Sequence, residues 1–538
     1  MNDQPETKPS NWERSNIVRT CRWLCSKRGM RRVFIVLAWI VTIIGLWYGE
    51  ENWRGRRAWN QYRKATEARG ESLDYAAYIP KPVPDDQNFA ATPFLKSFFL
   101  QPDTSILTND LYIRASGHIT KTKIVKDNGR RLFTDLVAWQ LASITLQNGK
   151  LNRDETFETD ETDLASRAAA APAVLEGMKP DQAAFAELRA ASAREFSRYR
   201  VKYDFENPWN TLLPHLSKIK QGCLCLELES CAELAAGQTG QALADVKLML
   251  SLADSVKSEP FLISYLVRVA CFQIAIQPVW EGLAEHRWTD AQLQELQARF
   301  LSCDFLADAE WYLTAERARH VVTVNIVKRN GMGLITDFMN LMFGEAAQSP
   351  LNKVVFNLIG PIVPSGWYYQ EELNYCVLFD AQMKGVVDRA AKTVSPSEAE
   401  SNASGLTGQI YGDPRTSALK AFLRHRLIVW LMLPTFNNFF AKIAIAQTTA
   451  NQAALACALE RYRLANGQFP ESLEALSPHF MSRLPNDVIT GRPYKYRRAD
   501  DGQFILYSVG WNEKDDGGAP GKVLFDRTQG DWVWQYPE

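Results

Sequence analysis

The sequence predicts a mostly α-helical protein with a C-terminal α+β module, carried behind a single N-terminal transmembrane helix. Three observations lead there. A charge-free stretch, "VFIVLAWIVTIIGLWYG", fills residues 33–49. Apolar residues recur three or four apart through most of residues 90–435, the spacing of a buried helix face. Near the end the period changes to two on either side of "ADDG", as in a β-hairpin.

The segments follow in chain order. Residues 1–32 form a basic cytoplasmic segment and residues 33–49 the transmembrane helix. Residues 50–89 form a juxtamembrane helix and a Pro-rich linker. Residues 90–435 are an α-helical domain, a bundle or an irregular set of helix pairs, and residues 436–538 the α+β domain. The apolar and charged fractions, 46% and 23%, are those of a globular chain. A formal net charge of zero argues against nucleic acid as a partner, because such binding needs a basic excess.

The anchor is close to the roughly 20 residues that cross a hydrocarbon core. Trp39, Trp47 and Tyr48 extend it into the interface, where aromatic rings are favoured. "EENWRGRR" follows it directly, so no small-x-small signal for cleavage is present and the segment reads as retained. Before it stand Arg14, Arg19, Arg22, Lys27, Arg28, Arg31 and Arg32; after it stand Arg54, Arg56, Arg57, Arg63 and Lys64. This bias puts the N-terminus in the cytoplasm and the bulk outside it, in the periplasm, on a bacterial inner membrane. The lipid bilayer is thus one partner. "VRTCRWLCSKRGMRR", with Trp23, Leu24 and Met30 among its charges, suits either an interfacial helix on anionic lipid or a solvated charge run.

"RRAWNQYRKATEARGE" continues outward as helix until Pro80, Pro82 and Pro84 impose an extended path. This linker is expected to lift the body off the bilayer. In the body, Leu243, Val246, Leu250 and Ala253 make one apolar stripe. Further helices are expected over 164–195, 223–235, 261–284, 290–301, 307–328 and 371–391. No repeat period is evident. The apolar but Pro-broken stretch 339–370 and the short "LIVWLMLP" read as buried core, with a groove or membrane-facing patch as the alternative.

Chemistry is hard to find. No GxSxG, Walker-type, GxGxxG or HExxH motif occurs. The six histidines are far apart, and none has a partner at helical spacing. The nine cysteines are scattered, without paired CxxC elements, and most sit in apolar helical patterns as small hydrophobes. The acidic run "RDETFETDETDLASR" reads as a solvated loop capping the helix that follows.

The tail is richer. A long helix from about residue 437 runs through "QTTANQAALACALERYRLANGQFP" and stops at Asn466 and Gly467. Tyr494 and Tyr496 alternate before "ADDG", Phe504, Leu506 and Ser508 alternate after it, and "DWVWQYPE" gives one more strand. The loop between these strands, "WNEKDDGG", gathers carboxylates and glycines. An EF-hand does not fit it: counting from Asn512, the third position is Lys514 and the twelfth is Val523, where calcium needs a bidentate Glu.

The string "YRLANGQFPESLEAL", "LPND…GRPYKY" and "LYSVGWNEKDDGG" resembles the C-terminal head of the type II secretion major pseudopilins. In that family a long helix ends at a Gly-x-Tyr/Phe-Pro element and a Pro-Tyr-x-Tyr strand follows. A Ser-x-Gly strand end then opens into an acidic, glycine-rich loop that holds calcium. The likeness covers roughly the last 100 residues. It implies calcium as a cofactor in the 508–518 loop, with Asp515 and Asp516 as ligands and Asn512 and Asp531 completing the set. The N-terminus departs from that family, because Gly29 is followed by "MRRVF" and not by a stretch with glutamate at its fifth position. The full arrangement also resembles a bacterial membrane-anchored family, a likeness that brings no activity with it. The resulting expectation is a non-enzymatic scaffold of the envelope whose protein partner belongs to secretion or pilus-type machinery. The alternative is an envelope enzyme with its site in the helical domain, near residues 366–370.

Overall fold

In the computed structural model the described residues are 20, 22–99, 112, 115–119, 129–149, 156–157, 159, 163–206, 211–331, 362–410, 418–433 and 438–537. Most of the basic N-terminal segment and most of the stretch 339–370 lie outside them. The described chain is mostly helical, with a three-stranded antiparallel sheet near its C-terminus.

Helix α1 runs without a break from Lys27–Ala68, its N-terminus capped by Ser26 accepting from the Gly29 N–H. Its two halves meet different surroundings. Through the apolar window none of the helix is buried, and Phe34, Leu37, Trp39, Val41 and Leu46 stand exposed. Further on, Glu51, Gly55, Trp59 and Thr66 are buried on one face. That face packs on α10 (Ser365–Met383), where Gly55 and Gly366 bring the two backbones together. Asn52 Oδ1 accepts from the Gly366 N–H at 2.7 Å and from the Ser365 hydroxyl at 3.0 Å, and Gln370 donates to Glu51 at 3.0 Å.

Through this contact α1 itself joins the body, where the sequence suggested a spacing linker. Residues 80–84 carry no helix or strand. They run over the body's surface, where Arg198 Nε donates to the Pro80 carbonyl at 2.9 Å. The anchor helix reaches the core on its own.

Helices α2 (Leu136–Gln147), α3 (Leu164–Met178), α4 (Gln182–Ala191), α5 (Pro214–Ala235), α6 (Thr239–Asp254) and α7 (Leu262–Ala284) form the first part of the body. The helix expected over 164–195 is divided into α3 and α4 by a tight 3-10 turn, Lys179–Asp181, whose Pro180 has no N–H to continue the α-helical ladder. Asp163 caps α3 through the Ala165 and Ser166 N–H groups, as the acidic run implied. α7 is also long and apolar enough to cross a membrane, but 56% of its apolar window is buried. It packs against α5 and α6, and its Arg268 is paired with Asp254 and Asp308, both at 2.8 Å.

Helices α8 (Asp290–Leu301) and α9 (Phe305–Asn330) lead towards α10. The helix expected over 371–391 starts earlier and stops earlier. Past α10 the chain turns at Gly385, φ +73°, into the two-residue strands β1 (Val387–Asp388) and β2 (Thr393–Val394) before α11 (Pro396–Ile410).

The last helix, α12 (Phe439–Asn466), is buried around its girth and ends at Gly467 in the left-handed region, φ +81°. Its many alanines keep it thin enough for α7, α8 and α9 to pack around it, and β4 covers it too. The sheet is β3 (Lys495–Arg498), β4 (Phe504–Ser508) and β5 (Trp532–Trp534), with Tyr496 opposite Leu506 and Ser508 opposite Trp532. One hydrophobic cluster runs from Trp59 in α1 to Trp534 in β5.

The glycine contact is open to test. A Cβ on Gly366 would lie 2.1 Å from the Glu51 carbonyl oxygen. Gly366→Ala should therefore cost about 2 kcal/mol, read as a lower Tm of the full chain in detergent.

Candidate functional site

Two acidic centres stand out, one on the C-terminal loop and one inside the helical body. The loop leaves β4 at Ser508 and passes through Gly510, Gly517 and Gly518, all with positive φ. It brings Asn512, Asp515, Asp516 and Asp531 into one network. Asp531 is 3% exposed and receives the Asp516 N–H on Oδ1 at 3.2 Å and the Gly518 N–H on Oδ2 at 2.6 Å. Asp516 Oδ2 accepts from Asn512 at 3.2 Å and from the Gly530 N–H at 3.1 Å. Asp515 accepts the Tyr507 hydroxyl and the Gly517 N–H, both at 3.1 Å, and its other oxygen lies 3.2 Å from Lys495 Nζ.

Burial, with the charges of Asp516 and Asp515, pushes the Asp531 carboxyl up, while backbone N–H groups hold it down. The Gly517 N–H and then Lys495 hold Asp515 below the usual carboxylate range. Backbone donors and Lys495 thus supply these carboxylates with partners. A calcium ion here would have to share or displace them.

Asp487, from "LPND", ties the loop's root to the core. It is 3% exposed and accepts the Ser508 hydroxyl at 2.7 Å and the Ile489 N–H at 3.1 Å.

The second centre was missed in the sequence. Glu229 and Glu233, one helical turn apart on α5, face Asp245 on α6, and one oxygen from each lies within 4.8 Å of the others. The three side chains are buried. From α4, Arg189 Nε donates to Asp245 Oδ1 at 2.9 Å, and Gln182 donates to Glu229. Glu229 Oε2, Glu233 Oε2 and Asp245 Oδ2 are shielded from solvent and receive no hydrogen bond. Burial, then Asp245's charge, pushes Glu229 up to about 7 and Glu233 up to about 9. Burial raises Asp245 to about 6 against the pull of Arg189. The available signal was an acid inside an apolar stripe: Leu226, Glu229, Ser230, Glu233 and Leu234 share the buried face of α5.

Around the buried His215 the contacts described do not assemble a nucleophile. His215 Nε2 meets Glu259 Oε1 at 2.6 Å, and the ring is stacked against Tyr199 and Phe99. The nearby Ser264 hydroxyl donates to Glu259 at 2.6 Å, so its proton is directed to the carboxylate and not to the imidazole. Residues 366–370 sit in the α1–α10 contact. Two surface cavities of about 690 and 680 Å³ are lined elsewhere, the first by residues 80–84 and 195–198, the second by groups that include Glu71, Arg317 and Asp380.

No protein family, curated protein or solved structure matches the chain.

Two outcomes follow. Asp531→Ala should cost about 1–3 kcal/mol by removing the acceptor of two loop N–H groups, seen as a lower Tm. The second concerns Glu372 of α10, a carboxyl that burial raises to about 8 against Lys328, Asn325 and Arg63. The unfolded chain holds this group at the ordinary 4.5, so the stability present below that pH is lost as pH rises through about 8. Glu372→Gln should therefore be more stable than the parent at about pH 9 and level with it at about pH 4, checked by thermal unfolding across that range.

Proposed function

We propose that the protein is a membrane-anchored, extracytoplasmic component of the bacterial envelope that works through protein contacts and not through catalysis. One observation carries the reading. α1 has an apolar half that no described part of the protein buries and a second half built into the core. Hydrocarbon is the surrounding that suits exposed Phe34, Leu37, Val41 and Leu46, and Trp39 and Trp47 suit its borders. The basic flank before the span favours a cytoplasmic N-terminus.

Joined through α1 and α10, the body is held at one orientation to the bilayer, which suits presentation of a fixed surface to a partner. The C-terminal sheet and the end of α12 are the candidate docking element, since their motif string resembles a pseudopilin head. Secretion or pilus-type machinery is the partner class this implies, and calcium in the 508–518 loop is the switch it implies.

The test is recovery from native membranes through a C-terminal tag, with and without a calcium chelator. The reading predicts copurifying secretion or pilus components that are lost on chelation. The chain recovered alone in both conditions would contradict it and favour an enzyme in the helical body. Topology is checked separately: alkaline phosphatase fused after Glu538 should be active, and an inactive fusion would place the body in the cytoplasm.

A further inference from the structure

We propose that Glu229, Glu233 and Asp245 bind one hard divalent cation, of the manganese or calcium type, inside the helical body. The site stands apart from the C-terminal loop and does not depend on the docking role.

Geometry is the first argument. A rigid helix hairpin supplies the donors: two glutamates at i and i+4 on α5 and one aspartate on the antiparallel α6. Their nearest oxygens lie within 4.8 Å of one another. Ligand oxygens bound at about 2.1–2.6 Å to one ion are separated by about 3–5 Å, so an ion fits between them without moving a helix.

Unused oxygens are the second, independent argument. Arg189 and Gln182 both come from α4 and serve only Asp245 Oδ1 and Glu229. Glu229 Oε2, Glu233 Oε2 and Asp245 Oδ2 are closed off from water and receive no donor. Glu233 is 5% exposed, and its Oε2 finds no hydrogen-bond partner among the described residues. Buried acceptors left open in this way are expensive, and a bound ion is a direct way to satisfy all three together.

Charge is the third. With all three ionised, the carboxylates facing one guanidinium carry an excess of two negative charges, which a divalent ion cancels as it takes the place of the carboxyl protons. Buried Asp181, whose charge also acts on Glu229, deepens the deficit. Every donor in the cluster is a carboxylate. That set suits a hard cation and not zinc or copper, which favour imidazole and thiolate. Bound there, the ion would tie the α5–α6 hairpin together beside α4.

Manganese(II) alone is the probe. The full chain, purified in detergent and stripped with a chelator, is titrated with manganese while electron paramagnetic resonance follows the free ion. The proposal predicts that one equivalent disappears from the free signal and that Tm rises by several degrees. Glu233→Gln, which keeps the side chain's shape, should lose that binding and the Tm rise. Asp515→Asn with Asp516→Asn should retain both. A stripped parent chain that takes up no manganese would overturn the proposal, whether or not Glu233→Gln folds. So would binding that survives Glu233→Gln or is lost with the loop variant. A Glu233→Gln chain that is more stable than the parent at every manganese concentration would show that the cluster is held protonated instead.

Discussion

The fold depends on one place where two helices meet without side chains. At Gly55 and Gly366 the backbones of α1 and α10 approach so closely that a methyl group on either would meet the other's main chain. Glycine is costly in a helix interior, so its presence on both sides of one contact is matched by the closeness it permits. The consequence is structural and functional together. A helix that is bare and apolar over one half becomes, over the other, an element of the core. Hydrogen bonds that Asn52 and Glu51 accept from Ser365, Gly366 and Gln370 fix its rotation as well as its position.

A second constraint holds the far end. α12 is enclosed by α7, α8, α9 and the sheet. Ala444, Ala450, Ala453, Ala454 and Ala458 supply little volume, so neighbours approach its axis from several directions, while Phe439, Phe440 and Leu459 fill the gaps between them. Gln447 and Gln452 serve as internal ties, through the Phe305 N–H and the Trp532 carbonyl. The helix that begins the C-terminal module is therefore also part of the core of the helical body. This bears on any partner: what the tail presents is the sheet, its loop and the exposed end of α12 near Leu464.

Much of this was legible in the sequence where the information is local. The charge-free run, the helix over 290–301, the stop at Gly467 and the alternation around "ADDG" each depend on neighbours along the chain, and periodicity reads them. Pro180 was overlooked because the alanine-rich run around it reads as continuous helix. The buried triad could not be assembled beforehand, because Asp245 meets Glu229 and Glu233 only once α5 and α6 pack side by side. An acid on an apolar stripe was the clue, and it indicates burial without naming a partner. The loop residues were found by composition, yet their actual partners, Lys495 and the N–H groups of Asp516, Gly517, Gly518 and Gly530, depend on how the strands register. Gly55 and Gly366, hundreds of residues apart, carry no sequence sign of one another.

The central claim is that the N-terminal helix α1 and the body form one unit. The most direct test is to place cysteines at Asn52 and Ser365, whose side chains touch at 3.0 Å, in a chain with Cys21 and Cys25 replaced by serine. Mild oxidation of native membranes should then close an intramolecular disulfide in nearly every copy, seen as a faster-migrating band that reductant abolishes. Copies that stay open, or that link only to one another, would contradict the account and leave the anchor as a tether independent of the fold it carries.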